Sequence, residues 1–351
     1  MGKTPLEAYQ CIKIVMSDTK LIFQCTNSSY CLGEATITHG NEDDMEEPRS
    51  GSLTAYVKGD VFARAIAGCT GDVSLEIHDK SVTLKYPAGD YRIPTVHPDS
   101  IPVLPFMQNA VGMELDSKTL KHSLAVCAAV GQDCCITQDT DASVVVCGTR
   151  SDAFLTIAKL AGPGEVENPP SSLFPNSSAL VLAAGCIGEK VTLSTDAKFA
   201  CVESEEDGLF LRTMVARTAG HDPKLRLIRR LAVSMQTTIL EAGNLAKAFS
   251  RAAVVTEAES QLCNLDILND KIIISTRTGT GEAETSCQAA CGAGAWSACI
   301  HAERAAAMLR PFSQHEPIDV FQASLQEDPL ALRIVQGKVE MFIAQAARVQ
   351  V

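Results

Sequence analysis

A short strand followed by an amphipathic helix occurs twice in this sequence. The segment LDSKTLKHSLAVCAAV (residues 115–130) aligns without gaps to LEAGNLAKAFSRAAVV (residues 240–255). The copies start 125 residues apart (240 − 115), a spacing typical of a whole domain and too long for one solenoid repeat. Two unrelated amphipathic helices are the alternative explanation. The repeat predicts a chain built from copies of one domain.

Each copy of the helix has one apolar face and one basic face. At 100° per residue, Leu120, Leu124 and Cys127 fall together in the first copy. Leu245 and Phe249 fall together in the second copy. The opposite faces carry Lys118, Lys121 and His122 in the first copy and Lys247 and Arg251 in the second. Each helix is therefore expected to bury one side and to present positive charge on the other.

Composition describes a globular chain without a membrane span. The 351 residues suggest two or three domains. No run of about 18 apolar residues occurs, and we expect a cytoplasmic protein that does not bind membranes. The fourteen cysteines show no secreted-scaffold spacing and are expected to be reduced. The net charge of −12 argues against indiscriminate coating by nucleic acid, but it allows a local basic surface.

The rest of the chain reads as strands with helices inserted at corresponding places. Short strands surround a predicted helix at residues 57–67, and further helices are predicted at residues 176–185 and 301–310. A proline-rich segment at residues 94–105 and a basic link at residues 221–230 mark boundaries. We therefore predict an α+β protein with three copies of one domain, at residues 1–107, 108–232 and 233–351.

Several weak motifs in the right order carry a resemblance to a known family. They are YRIPT at residues 91–95, the helix at residues 240–255, GEAE at residues 281–284 and the last strand at residues 339–344. Together they resemble the β sliding clamp of bacterial DNA polymerase III, over nearly the whole chain. The counterpart of the family's first strand and helix is not found in domain 1.

The resemblance implies a function as well as a fold. Clamps of this family are head-to-tail homodimers whose antiparallel sheets lie outside and whose helices lie inside a ring. The ring encircles double-stranded DNA as a processivity factor, tethers DNA polymerase and is placed by a clamp loader. The family has no catalytic residues, so the resemblance implies a non-enzyme without cofactor or metal. A clamp-fold structural or regulatory binding protein that no longer loads on DNA is the alternative.

Lysine and arginine on the inner helices would hold DNA through phosphate contacts that are independent of sequence. Simple solvation of amphipathic helices is the alternative for any single residue. The candidates for DNA binding are Lys118, Lys121, His122, Lys247, Arg251, Arg64, Arg304 and Lys3.

The resemblance also implies a subunit interface and a pocket for partner peptides. The expected interface residues are Phe62 and Ile66 in domain 1 and Val254, Val255, Glu282 and Glu284 in domain 3, with the glutamates facing Lys85 or Arg92. The pocket aligns with Thr149, Ser151, Phe154, Ile343, Ala344 and Ala346. Because most of these pocket residues differ from the family pattern, the partners of this pocket are expected to differ or to be absent.

Two cysteine-based alternatives are weaker. Cys287, Cys291, Cys299 and His301 have zinc-ligand chemistry, but they lack the tight paired spacing of structural zinc sites. Cys134 and Cys135 could supply a nucleophile, but no paired histidine is evident. We therefore expect these cysteines to pack in the core.

Overall fold

The computed structural model describes residues 10–26, 31–38, 52–97, 106–130, 132–150, 154–218, 225–256, 261–268, 270–278, 281–291, 295–325 and 328–344. By their contacts, the residues divide into two compact units. One unit holds Met1–Lys118 and Ala184–Arg217, and the other holds Thr119–Ala183 and Thr218–Val351. Among the described residues, every helix is too short or too polar to cross a lipid bilayer.

The elements follow one order that recurs along the chain. Repeat 1 comprises β1 (Cys11–Met16), β2 (Lys20–Thr26), β3 (Cys31–Thr38), β4 (Leu53–Lys58), α1 (Gly59–Gly68), β5 (Ser74–His78), β6 (Ser81–Tyr86) and β7 (Gly89–Pro94). Repeat 2 comprises β8 (Val111–Asp116), α2 (Ser117–Val130), β9 (Asp133–Gln138), β10 (Val144–Arg150), β11 (Phe154–Ala161), β12 (Ser172–Pro175), α3 (Asn176–Ala184), β13 (Lys190–Thr195), β14 (Phe199–Glu206) and β15 (Leu209–Ala216).

A short helix, α4 (Leu225–Ile228), precedes the last repeat. Repeat 3 comprises β16 (Ala232–Ile239), α5 (Ala242–Val255), β17 (Leu262–Ile267), β18 (Lys271–Thr278), β19 (Gly281–Cys291), β20 (Trp296–His301), α6 (Ala302–Leu309), β21 (Ile318–Leu325), β22 (Asp328–Gln336) and β23 (Val339–Ala344). Repeats 2 and 3 match element for element. The described part of repeat 1 follows the same order but starts at the counterpart of β9.

The described strands form three sheets. Their pairing is antiparallel, as the sequence predicted. The first unit contains an eight-stranded sheet in the order β4-β1-β2-β3-β15-β14-β13-β8 and the three-stranded sheet β5-β6-β7. The second unit contains a twelve-stranded sheet in the order β12-β9-β10-β11-β23-β22-β21-β16-β19-β18-β17-β20. Strands β3 and β15, and β11 and β23, therefore join neighbouring repeats through backbone hydrogen bonds.

The predicted helices are present with small shifts at their ends. The helix expected at residues 57–67 begins two residues later, because residues 57 and 58 still pair in β4. The helices expected near residues 176 and 301 are α3 and α6. Helix α4 was not predicted, since four residues carry too little periodicity to recognise. The domain boundaries at residues 107 and 232 stay predictions.

Helix α2 lies close against the sheet because Gly148 has no side chain. Leu120, Leu124 and Cys127 are fully buried, as the periodicity predicted. The Cys127 thiol donates to the carbonyl of Val146, 3.3 Å away. A Cβ on Gly148 would overlap the carbonyl oxygen of Cys127. The helix and strand β10 are thus in direct backbone contact.

Gly148→Ala should lower the free energy of unfolding by about 3 kcal/mol, because a methyl group there forces α2 away from β10. Urea unfolding followed by circular dichroism measures the change. Gly281→Ala is the matched control, since its new methyl group would meet nothing closer than Val255 at 3.8 Å. Equal stability of the two variants would contradict this packing.

Candidate nucleic-acid interface and subunit edges

The solvent faces of α2 and α5 are basic and free of acidic residues. The chain contains 42 acidic residues, yet neither helix holds one. The exposed cationic or titratable side chains of these helices are Lys118, Lys121 and His122 on α2 and Lys247 and Arg251 on α5. These two faces are therefore local positive surfaces on a chain whose net charge is negative.

The second helix of each repeat is less basic. On α1, Arg64 is exposed and pairs with Asp60 at 2.9 Å, which offsets its charge. On α6, Arg304 is half-buried. Helix α3 has no cation, and its exposed Leu180 and Val181 are apolar. Lys3 lies outside the described residues.

His301 caps the start of α6. Its Nδ1 accepts a hydrogen bond from the backbone N–H of Arg304 at 3.4 Å. Burial, with a smaller contribution from the Arg304 charge, lowers the pKa of His301 below its ordinary value. The neutral imidazole is therefore the form that caps the helix.

Two strand edges that correspond to paired junctions elsewhere in the chain have no partner strand among the described residues. Strand β7 pairs with β6, and residues 281–288 of β19 pair with β18. On its outer side, β15, the counterpart of β7, pairs with β3. Strand β11, the counterpart of β19, pairs on its outer side with β23. The third such junction is absent within the described chain.

Apolar side chains flank both open edges. Ile66, at the end of α1, is 41% exposed, whereas its counterpart Leu309 in α6 is fully buried. A Cβ on Gly68 would lie 2.8 Å from the hydroxyl of Tyr91 in β7, which places the end of α1 beside that edge. Val254, at the end of α5, is 82% exposed. The expected interface residue Phe62 is instead buried in the core of repeat 1.

An ion pair also crosses the junction between β15 and β3. Arg212 of β15 donates from Nε to Glu203 at 2.6 Å, and its Nη1 lies 3.7 Å from Glu34 of β3. Arg212 and Glu34 are opposite one another in the ladder. Arg92 stands three residues after the hairpin closure in β7, as Arg212 does in β15. Arg92 is therefore the counterpart of Arg212.

The counterpart of Glu34 in repeat 3 can be identified by comparing one row of residues that are paired across neighbouring strands in each repeat. The rows are Ala55–Ile14–Phe23–Ala35–Leu211 in repeat 1, Ser172–Ile136–Val146–Ala158–Val339 in repeat 2 and Ala298–Leu265–Ile274–Thr285 in repeat 3. Thr285 thus matches Ala35, and its neighbour Glu284 matches Glu34. The exposed Glu282 and Glu284 stand on the open edge of β19.

The predicted peptide pocket is only partly brought together. Phe154 and Ile343 are ladder partners, but the Ile343 side chain is fully buried. The partners Leu155 and Phe342 lie on the opposite sheet face, in a cluster with Leu225. Ser151 and Ala346, and the side chain of Phe154, lie outside the described residues. Thr149 and Ala344 are half-buried.

An ion-pair network fastens α4 beside this cluster. Arg229 donates to Asp139 at 2.6 Å and to Glu340 at 2.9 Å. Arg333 also reaches Glu340 at 2.9 Å. A cleft of about 280 Å³ lies beside the network, between Lys159 and Arg229. The network links the end of β9 in repeat 2 to β23 in repeat 3 through one arginine.

The cysteine alternatives do not fit the geometry. Cys287 in β19 and Cys299 in β20 stand three strands apart, which is about 14 Å, too far to share one zinc ion. Burial raises the pKa of Cys134 to about 12, so its thiol is protonated at neutral pH. The side chain of Cys291 lies outside the described residues.

Solved structures with the same architecture are beta subunits of bacterial DNA polymerase III. DNA polymerase III subunit beta from Borrelia burgdorferi aligns with a TM-score of 0.77 at 12% identity, over 97% of this chain and 92% of that one. The Thermotoga maritima subunit gives 0.75 at 12%, over 99% and 94%. The Pseudomonas aeruginosa subunit gives 0.75 at 11%, over 98% and 94%.

This chain has the sliding-clamp fold. The resemblance noted in the sequence is thereby confirmed at the level of fold. No protein-family model matches the sequence, and no curated protein matches it. The low identity explains why many weak motifs, and no strong one, carried the resemblance.

The sliding-clamp fold of this chain has features that the sequence did not reveal. Leu155, Leu225 and Phe342 form an apolar cluster beside the expected pocket. They were missed because the alignment of short motifs does not say which side chains pack together on one face of a sheet. A weak signal was present in the alternation of residues 154–157, where every second side chain turns to the same face.

His301→Asn should remove part of the pH dependence of folding. Because burial lowers the pKa of His301 in the folded state, its cap stabilises the fold above the unfolded pKa, near 6.5. That contribution is lost as the pH falls toward the folded pKa. Asparagine keeps a capping oxygen without titrating. Urea unfolding at pH 7.5 and 5.5 should show a smaller decrease for the variant, and an unchanged decrease would refute the cap.

Proposed function

We propose that this chain is a sliding clamp, a non-enzymatic DNA polymerase accessory that encircles duplex DNA. The observation that carries the proposal is the pair of acid-free, cationic helices α2 and α5 at matching positions of a repeated fold. The fold is that of DNA polymerase III beta subunits.

Contacts with phosphates suit such a protein. Lysine and arginine attract the DNA backbone without reading bases, so the bound protein does not stop at any one sequence. Three domains per chain, with boundaries near residues 107 and 232, would place α2 and α5 on a common inner surface together with α1, α3 and α6. Because α3 has no cation and Arg64 is paired with Asp60, we expect weak contact that is sensitive to salt.

A second copy of the chain would complete the ring. Open sheet edges tend to pair with another strand, and β7 and β19 are the edges that correspond to the two paired junctions. A head-to-tail homodimer would join β7 of one chain to β19 of the next and would cover Ile66, Val254 and Val255. Two such interfaces close a ring of six domains.

Partners would be recognised on the outside of the ring. The cleft between Lys159 and Arg229, beside the buried cluster of Leu155, Leu225 and Phe342, is the region where we place binding of DNA polymerase. A clamp loader would open the ring at β7 and β19. We place the protein in the cytoplasm, because DNA replication in bacteria takes place in that compartment.

Reversing charge on the two helices should weaken binding to duplex DNA. In Lys121→Glu/Lys247→Glu/Arg251→Glu, each lost phosphate contact should make the negative slope of log K against log salt shallower by about 0.9. Fluorescence anisotropy with a labelled duplex at several salt concentrations measures both affinity and slope.

The control Lys20→Glu/Lys80→Glu/Lys271→Glu changes net charge equally but on exposed strand and turn positions. It should bind DNA more tightly than the helix variant. Equal losses in both variants would mean that only net charge matters. That result, or binding insensitive to salt, would favour the alternative of a clamp-fold binding protein that does not load on DNA.

Exchanging the charges of Arg92 and Glu284 tests the proposed dimer. If the β3–β15 register recurs between chains, Arg92 faces Glu284 of the second copy, as Arg212 faces Glu34. Arg92→Glu should then weaken the dimer about tenfold or more, since like charges meet at both interfaces. Arg92→Glu/Glu284→Arg should restore the dimer. Sedimentation velocity over a range of concentrations measures it.

Glu282→Arg in place of Glu284→Arg is the matched control. Restoration by Glu282→Arg instead would indicate the β11–β23 register, which differs by two residues. An undiminished dimer in Arg92→Glu, or a wild-type chain that stays monomeric at all concentrations, would contradict the interface.

A further inference from the structure

A cleft of about 480 Å³ lies where the open edge of β19 ends. Residues 281–288 of β19 pair with β18, whereas residues 289–291 pair with β16. The cleft lies at this change of partner, with Lys271, Ser286, Gln288 and Ala290 in its lining. It is also lined by Leu240, which directly follows β16 and is 63% exposed. The cleft therefore adjoins the edge that would pair with a second copy of the chain.

The smaller cleft of repeat 2, described above, occupies the corresponding place. By the matched rows, Ser286 is the counterpart of Lys159, and Lys271 is the counterpart of Ser143. Both Lys159 and Ser143 line the repeat 2 cleft. That cleft is also lined by Lys338, from the turn between β22 and β23 of the next repeat. The repeat 3 cleft has no such turn among the described residues, and its volume is larger, at about 480 Å³ against 280 Å³.

At both described junctions, the turn of the incoming hairpin binds the end of the receiving strand. The N–H of Lys159 in β11 donates to the carbonyl of Lys338, 3.0 Å away. The N–H of Thr38 in β3 donates to the carbonyl of Gly208, in the turn between β14 and β15, 3.1 Å away. Each bond extends the junction by one residue beyond the last ladder pair. Ala88, which directly precedes β7, is the counterpart of Lys338 and Gly208.

We propose that the cleft beside Leu240 receives the turn at residues 86–89 of a second copy and so latches the ring. This inference rests on the proposed dimer. In the β11–β23 register Ala88 would reach Ser286, and in the β3–β15 register it would reach Gln288, and both residues line the cleft. The turn is Tyr-Pro-Ala-Gly and carries no charge, which suits burial against Leu240. Opening the ring would withdraw the turn from the cleft.

Leu240→Asp should weaken the dimer about tenfold or more, because the entering turn would strip water from a carboxylate. Leu180→Asp is the matched control, since Leu180 on α3 is a leucine of similar exposure, at 53%. The control should dimerise like the wild-type chain. Sedimentation velocity over a range of concentrations measures both variants, and thermal unfolding checks that they are folded.

Adding Ala88→Lys to Leu240→Asp should restore the dimer, because opposite charges would then meet in the cleft. Lys338 shows that lysine is compatible with this position of the turn. Thr54→Lys adds the same charge at an exposed position of β4 and should not restore the dimer. The three-way comparison separates contact in the cleft from a general effect of net charge.

Cross-linking tests the contact directly. Chains with Ala88→Cys are mixed with chains carrying Leu240→Cys and treated with a short bismaleimide. A denaturing gel should show a species of twice the chain mass, well above the background from native cysteines. Thr54→Cys in place of Ala88→Cys should give only that background.

The outcomes separate the latch from the dimer. If Leu240→Asp dimerises like the wild-type chain while Arg92→Glu does not, the latch is wrong and the dimer stands. Failure of Ala88→Lys to restore the dimer, or cross-linking no stronger than in the control, would also overturn the latch. A wild-type chain that is monomeric at every concentration would overturn the dimer and the latch together.

Discussion

The structure depends on backbone pairing between strands of neighbouring repeats. Strands β3 and β15 join repeats 1 and 2, and β11 and β23 join repeats 2 and 3, each through a continuous antiparallel ladder. Such ladders satisfy the N–H and C=O groups that an open edge leaves unpaired. They also fix each repeat against the next without requiring any particular side chain. This explains how identity to solved clamps falls to about 11% while the fold persists.

Much of the fold could be predicted because it repeats. The strand and helix at residues 115–130 and their copy 125 positions later predicted the buried face of the helix, and Leu120 and Leu124 are buried as expected. The short α4 could not be predicted, because one helical turn has no periodicity. The buried position of Phe62 could not be predicted either, since α1 presents apolar residues on more than one side and only packing decides which remain exposed.

The candidate sites were less predictable than the fold. The cationic faces of α2 and α5 follow from helical spacing alone, and their lysines are exposed. The peptide pocket does not follow from spacing, because a strand alternates faces at every residue and an alignment error of one position reverses the assignment. Ile343 illustrates this, since its neighbour Phe342 lies on the face of the apolar cluster. The open edges of β7 and β19 became visible only when all strand pairs were known.

The central claim is that the two open edges pair between copies and close a ring with the basic helices inside. Electron microscopy of the purified chain at micromolar concentration tests this most directly. The account predicts closed rings with twice the 37.4 kDa mass of one chain and a central hole wide enough for duplex DNA. Isolated crescents at every concentration, or open filaments of chains joined head to tail, would contradict it.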